Sequence, residues 1–402
     1  MGGFVQDVQH AARALARNPG FTIMAIAILA LGIGVNTAIF SVVNAVLLRP
    51  LPYPEPDRLV EIFLPVPGGD LRGPVSAMDF EDWREQNDVF EDIALVNTLS
   101  RGVTLTGGGE PEQLETAYVH PALFPTLAVQ PAIGRALGLE DNGPGRNRVV
   151  VISHRLWARR FGADPAVTGR MVTLDGQAFT IAGVMPASCR FPEATIDVWA
   201  PESLIDAARA PRRRDNRFQR AIARIERGVT LEQARAGMNI IAARLMTQHT
   251  ESNAGRATVA LVPLHQAIVG EPVRAAMWIL FGTAIFVLLI ACANVGNLLF
   301  GRTVARRHEV GIRLALGSQP RDLLRGVIAE GVVMAVAGVI AGATFGFVMT
   351  RLASSYFLDV KMPGVLPVVL SAFVLLTAAI VASSVPAVRA ARTDVMKALR
   401  AE

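Results

Sequence analysis

Residues 21–48, FTIMAIAILALGIGVNTAIFSVVNAVLL, carry no Asp, Glu, Lys or Arg. An α-helix rises about 1.5 Å per residue and a bilayer core needs about 20 apolar residues, so this run is long enough to cross one. Three more runs lack charge over similar lengths: 275–301, 331–350 and 362–388. The first is read as a retained transmembrane helix. It is too long for a cleavable signal, and Pro50 follows it with no small-residue cleavage site. Of the 402 residues, 51% are hydrophobic and 18% charged, which suits a protein part in bilayer and part in water.

The basic residues orient these runs. Arg13 and Arg17 precede the first. Arg302, Arg306, Arg307, Arg313, Arg321 and Arg325 lie between the second and third, and Arg389, Arg392, Lys397 and Arg400 follow the fourth. Basic loops stay in the cytoplasm, so both termini and the 302–325 loop are expected inside and the long segment after the first run outside. Of 39 basic side chains only Lys361 and Lys397 are lysines, a bias read as genome composition, and no nucleic-acid partner is expected.

The expected fold class is therefore a membrane protein of four transmembrane α-helices, with a large α+β extracytoplasmic domain inserted between helices 1 and 2. Its segments are a cytoplasmic amphipathic helix (1–20), helix 1 (21–48), the outer domain (49–274), helix 2 (275–301), a cytoplasmic loop (302–325), helix 3 (326–350), a short outer loop (351–361), helix 4 (362–388) and a tail (389–402). Membrane lipid is the implied surrounding. Cys189 lies in the outer domain and Cys292 in helix 2, so no intramolecular disulfide is expected.

Local signals place elements in the outer domain. Residues 59–64 and 149–152 look like strands. Ser76 and Ser153 are expected N-caps, with Phe80, Trp83 and Phe90 at near-helical spacing behind the first. Asp175-Gly176 between two apolar runs is a strong hairpin signal. Thr230 and Gln233 form a capping box for a helix whose buried face is Ala234, Met238, Ile241 and Leu245. The Pro- and Gly-rich stretch 65–74 and the arginine run 212–214 are expected as exposed loops. On the third run, Gly338, Gly342 and Gly346 recur every four residues, a spacing that lets another helix approach closely.

Catalytic constellations are missing. Neither lysine follows a glycine, so there is no Walker A phosphate loop, and Gly-x-Ser-x-Gly is absent. The six histidines show no metal-ligand spacing, and TGGGE at 106–110 is read as a turn. Asp79, Glu81 and Asp82 fall in the first turn of a capped helix, where they oppose its dipole. No enzymatic activity, metal or cofactor is expected. No charge falls mid-span, so the energy for any work must come from a partner.

With those residues in view, RNPGFTIMAIAILALGIGVNTAIFSVVNAVLLRPLPYPEPDRLV (17–60) resembles the opening of MacB/FtsX-type ABC transporter permeases, most nearly the duplicated-permease branch described from acidobacteria. Residues 150–186 resemble the MacB-type periplasmic core domain, 288–331 the region around helices 2 and 3, and 386–402 the family's terminus. The resemblance implies a bacterial inner-membrane permease working as a homo- or heterodimer. An ABC ATP-binding subunit would act in trans, and a periplasmic adaptor is a further implied partner. It also implies that a cytoplasmic helix near 307–317 contacts the ATPase, through Val310, Ile312, Leu314 and Leu316 with Arg307, Glu309 and Arg313. Members of that branch commonly carry two units where this chain has one, and the fused ATPase of the efflux member has no counterpart here.

The implied function is mechanotransmission: ATP hydrolysis by the partner moves the outer domains to export or release a peptide, drug or lipoprotein. The alternative is an extracytoplasmic sensor or scaffold controlling a cell-wall hydrolase or kinase.

Overall fold

The computed structural model describes residues 13, 19–66, 72–97, 101–107, 109–143, 145–205, 213–305, 333, 336–348, 351 and 373. The N-terminal amphipathic helix, apart from Arg13, Pro19 and Gly20, lies outside them, as do residues 306–332, the C-terminal tail and, apart from Phe373, helix 4. The chain divides into two compact units, Met1–Arg49 with Glu271–Glu402, and Pro50–Gly270.

The first unit contains α1 (Pro19–Val43), which passes into a π-helical turn (Asn44–Leu48). In the second unit follow β1 (Leu59–Phe63), α2 (Ala77–Gln86), β2 (Phe90–Asn97), β3 (Arg101–Thr106), β4 (Glu112–Val119), α3 (Leu123–Leu127), β5 (Ile133–Gly134) and β6 (Val149–Ile152). Then come α4 (His154–Arg160), β7 (Met171–Leu174), β8 (Gln177–Val184), β9 (Val198–Pro201), β10 (Gln219–Ile225), α5 (Leu231–Gln248), β11 (Ala260–Pro263) and α6 (Leu264–Val269). Back in the first unit are α7 (Glu271–Ala305) and α8 (Val336–Val348).

The Pro50–Gly270 unit is α+β and has two lobes. In the first, β11, β1, β10 and β2 pair antiparallel in that order, with α2 joining β1 to β2 and α5 joining β10 to β11. This is the split β-α-β arrangement of ferredoxin-like folds. Period-two alternation gives its sheet two apolar faces. Val60, Ile62, Ile93, Leu95, Ala221 and Ala223 pack under α2 and α5, while Leu59, Ala94, Val96 and Ile222 face the other way.

The second lobe is inserted between β2 and β10. Its pairings run β4–β3–β7–β8–β6–β9 and return to β4, closing a six-stranded ring. Alternate residues of all six strands fill the ring, among them Val103, Leu114, Ile152, Val172, Ile181 and Val198. Closure removes free strand edges. The outward sides of β4, β6 and β9 present Ala117, Val151 and Trp199 to the core beneath the first lobe. Trp199 donates its indole N–H to the Phe191 carbonyl at 2.9 Å and meets Phe124 of α3 edge-on at 6.1 Å.

Local chemistry explains the element ends. Ser76 Oγ accepts from the Asp79 N–H, Ser153 Oγ from Leu156, and Thr230 and Gln233 cap reciprocally. At the β7–β8 hairpin Asp175 and Gly176 take φ of 48° and 76°, the left-handed pair that a tight two-residue turn demands.

Three expectations need correction. Phe90 is not on the helix behind Ser76: α2 ends at Gln86, where Asn87 binds back to the Trp83 carbonyl, and Phe90 opens β2. The 212–214 run is not wholly an exposed loop. Arg213 is exposed beside Asp215, but the Arg214 side chain is only 8% exposed and reaches Asp79 at 2.7 Å; Arg212 is outside the described residues. Asp79 in turn does more than oppose a dipole. It also accepts from Arg217 at 3.3 Å and Asn253 at 3.0 Å, tying the start of α2 to the segment before β10 and the turn after α5.

Candidate functional site

The glycine stripe of α8 is buried and lies against α1 of the same chain. A β-carbon added at Gly338 would stand 2.6 Å from Leu29 Cβ. One added at Gly34 would meet Phe345 Cδ1 at 2.5 Å and the Gly342 carbonyl at 3.2 Å, and one at Gly346 would lie 3.3 Å from both the Gly34 carbonyl and Thr37 Cβ. The two backbones therefore touch, as small-residue spacing permits. On its other side α1 meets α7: a β-carbon at Gly32 would lie 3.1 Å from Ala291 Cβ, and the Phe40 and Phe281 rings are 6.2 Å apart. Ala284, Leu288 and Ala291 of α7 are buried, while Ile279, Phe286, Leu289 and Ile290 face outward.

Pro19–Phe40 and Glu271–Ala291 are each long and apolar enough to cross a membrane. Within α1, Asn36 Nδ2 satisfies itself on the Gly32 carbonyl at 2.9 Å. Asn294 and Asn297 are exposed on α7.

This contact makes a direct prediction. Gly338→Leu drives side-chain volume into Leu29 and is expected to destabilise the helix pair by about 1–3 kcal/mol, the usual range for overpacking. Gly282→Leu is the control, since a β-carbon there meets nothing within 4 Å. Thermal unfolding in detergent should fall for the first variant alone; equal losses would sink the assignment.

The expected coupling residues Arg307, Glu309, Val310, Ile312, Arg313, Leu314 and Leu316 fall outside the described residues, and the structure neither gathers nor separates them. What the sequence reading missed is the receiving side of the glycine contact, Leu29, Gly34 and Thr37. Gly32 and Gly34 in the first apolar run were the available signal.

The segment that enters the outer domain is also specific. Leu51 and Tyr53 turn inward against the core, while Pro52 and Pro54 are exposed. Tyr53 Oη accepts the Arg190 N–H at 3.3 Å, and burial pushes its pKa up. Arg224, 4% exposed on β10, donates through Nε to the Thr126 carbonyl at 2.8 Å and through Nη1 to the Pro54 carbonyl at 3.1 Å. Burial holds the Arg224 pKa below its ordinary value and repulsion from Arg58 adds to this, with Glu91 and Glu55 offsetting only part. Arg58 donates to the Ile225 carbonyl at 2.8 Å and pairs with Glu55 and Glu91.

Nearby, the buried Glu61 receives both arms of Arg220, at 2.7 and 2.6 Å. Burial alone would lower the Arg220 pKa, but these bonds outweigh it and hold it above the ordinary value. Among the described residues no His, Cys, Asp or Glu cluster is able to hold a metal. Burial raises the Cys189 thiol to about 12, the opposite of what a nucleophile requires.

Comparisons by sequence place two families along the chain. Residues 22–240 match the MacB-like periplasmic core domain family, and residues 281–395 match the FtsX-like permease C-terminal family. The pyoverdine export ATP-binding/permease protein PvdT of Pseudomonas putida (KT2440) is 32% identical over 116 residues, covering 29% of this chain and 17% of that protein. A probable export ATP-binding/permease protein of Pseudomonas fluorescens (Pf0-1) is 25% identical over 264 residues, 65% of this chain and 39% of the relative. The macrolide export ATP-binding/permease protein MacB of Azoarcus sp. (BH72) is 30% identical over 125 residues, 31% and 19%. The chain thus spans less than half the length of these relatives. Among solved structures, the periplasmic region of MacB from Actinobacillus actinomycetemcomitans is similar at a TM-score of 0.40 and 15% identity, covering 53% of this chain and 94% of that one. The core-domain match alone covers more than half of the chain, with the FtsX-like match following it in order. The chain belongs to the MacB/FtsX-type ABC permease family, with a MacB-like periplasmic core domain after an N-terminal apolar helix and an FtsX-like permease region behind it.

Proposed function

We propose that this chain is the permease subunit of an ABC-type export system, moving its extracytoplasmic domain with energy from an ATP-binding subunit that acts in trans. One observation carries the reading: α8 grips α1 backbone to backbone, and α1 leads directly into the outer domain. In chain order α8 follows the segment that holds Arg307, Glu309, Val310, Ile312, Arg313, Leu314 and Leu316. A displacement of that segment by the ATPase would pass to α8, and through the glycine contact to α1. The names of the relatives, export ATP-binding/permease proteins, support the same reading.

In this reading the chain crosses the inner membrane four times with both termini cytoplasmic. Residues 362–388 form the fourth span, and the permease works as a homo- or heterodimer, with a periplasmic adaptor as a further partner. The cargo is a peptide, a drug or a lipoprotein. No charge falls within the apolar runs, so a push on the outer side explains transport more simply than a polar tunnel does.

The test is affinity purification from native membranes with partners identified by mass spectrometry, comparing wild type with Ile312→Asp. An ATP-binding subunit should copurify with wild type and be lost from the variant, because a charge would stand where this reading assigns Ile312 an apolar contact with the ATPase. Absence of any ATPase from wild type, even after crosslinking, would end the proposal.

A further inference from the structure

We infer that residues 50–58 are a rigid strap held fast within the Pro50–Gly270 unit, and that the π-helical turn Asn44–Leu48 is the compliant joint just before it. The inference deepens the proposed function and rests on it, because a lever needs to know where it bends.

Three features stiffen the strap. Pro50, Pro52, Pro54 and Pro56 occupy every second position of RPLPYPEP, and each fixes its own φ while restricting the residue before it. The residues between them hold the strap down. Leu51 packs on the core, Tyr53 is buried in it, and the Glu55 carboxylate meets Arg58 at 2.5 Å. Finally, Arg224 reaches from the central strand β10 and holds the Pro54 carbonyl and the Thr126 carbonyl at once, and among the described residues it donates to carbonyls and to no carboxylate. A buried guanidinium whose Nη2 has no partner among the described residues is costly, and its position is explained if the strap must not lift.

The turn before it differs. The Arg49 N–H donates to the Asn44 carbonyl five residues back, at 2.9 Å, where an α-helix would use Ala45. Moving that bond by one residue rotates everything downstream by about 100°, since an α-helix has 3.6 residues per turn. The α-helical register is thus one bond away from the π turn, whereas the strap is pinned by side chains of the core and of β10.

The test uses spin-label distance measurements on the full chain in nanodiscs, with Cys189 and Cys292 replaced by alanine. One label pair, Asp57→Cys with Glu232→Cys, reads the strap against α5. A second, Met24→Cys with Glu232→Cys, reads across the turn. The first distance distribution should be narrow and the second broad. Arg224→Met should widen the first by about twofold, as expected when a stiff linker becomes a flexible one. Deleting Val46, which removes the extra residue of the π turn, should narrow the second.

If Arg224→Met fails to fold, Pro52→Gly with Pro54→Gly, both at exposed positions, softens the strap without touching the core. A first pair as broad as the second in wild type, or no response to softening or to the deletion, overturns the inference. None of these readings needs the ATPase. Copurification of an ATPase with a soft strap would leave the proposed function standing and this inference fallen.

Discussion

Asp79→Ala is expected to lower the stability of the outer domain by about 3–5 kcal/mol, the usual cost of removing one partner from a buried ion pair. Asp79 is 1% exposed and is the shared acceptor of a closed group. Arg214 reaches it at 2.7 Å, Arg217 at 3.3 Å and Asn253 at 3.0 Å, and Ser76 Oγ lies 2.8 Å from it. Truncation removes the carboxylate shared by two guanidinia at 8% and 9% exposure, leaving Arg217 without an ion pair among the described residues and Arg214 with Asp82 alone, at 2.6 Å. A domain of this size loses about 2–4 °C per kcal/mol, so the unfolding midpoint should fall by about 10 °C. Tryptophan fluorescence follows it, since Trp83 on α2 lies close to the group. Asp79→Asn keeps hydrogen-bonding capacity without the charge and should fall between. A loss under about 1 kcal/mol would mean that solvent or another carboxylate compensates the arginines.

Trp199→Ala is expected to cost about 3–5 kcal/mol, as for other fully buried large side chains. Its effect should also differ in kind. Trp199 stands on the outward side of the six-stranded ring, within a cluster that includes Leu59, Ala94 and Ile222 of the other lobe. Its loss also strands the Phe191 carbonyl that its indole N–H satisfies. Removing the peg between lobes should split a single unfolding transition into two, visible by calorimetry on the full chain. Phe179→Ala, inside the ring, should destabilise without that split. One transition in the Trp199 variant with a small loss would place the inter-lobe coupling elsewhere.

Much of the local structure was legible because its causes lie within a few residues. The caps at Ser76, Ser153 and Thr230 need only an oxygen three residues before a waiting N–H. The turn at Asp175-Gly176 needs only two residues that tolerate positive φ. The buried face of α5 follows from the spacing of Ala234, Met238, Ile241 and Leu245. Phe90 was misplaced for the same reason in reverse: its spacing from Trp83 continued a helical rhythm, but Asn87 had already closed the helix on the Trp83 carbonyl.

The candidate site was legible in part. Gly338, Gly342 and Gly346 announce a close helix contact, yet a stripe of glycines does not say what it touches. Its partner, α1, is about three hundred residues away in sequence, and no local pattern encodes that pairing. Arg214 and Arg224 look from sequence like any solvated arginine. They are buried because Asp79 and the Pro54 and Thr126 carbonyls lie across space from them.

By itself the sequence determined that this chain has apolar runs long enough for a bilayer, an α+β domain between the first two, and the motifs of its family. Those properties are additive along the chain, residue by residue. Only the tertiary structure decided that strands β3, β4 and β6 to β9 close into a ring inserted within a split β-α-β lobe, that α1 is the helix α8 grips, and that the proline strap is held by Arg224. Each of these depends on which distant surfaces meet, and the free energy of such meetings depends on shape and desolvation that no single segment carries.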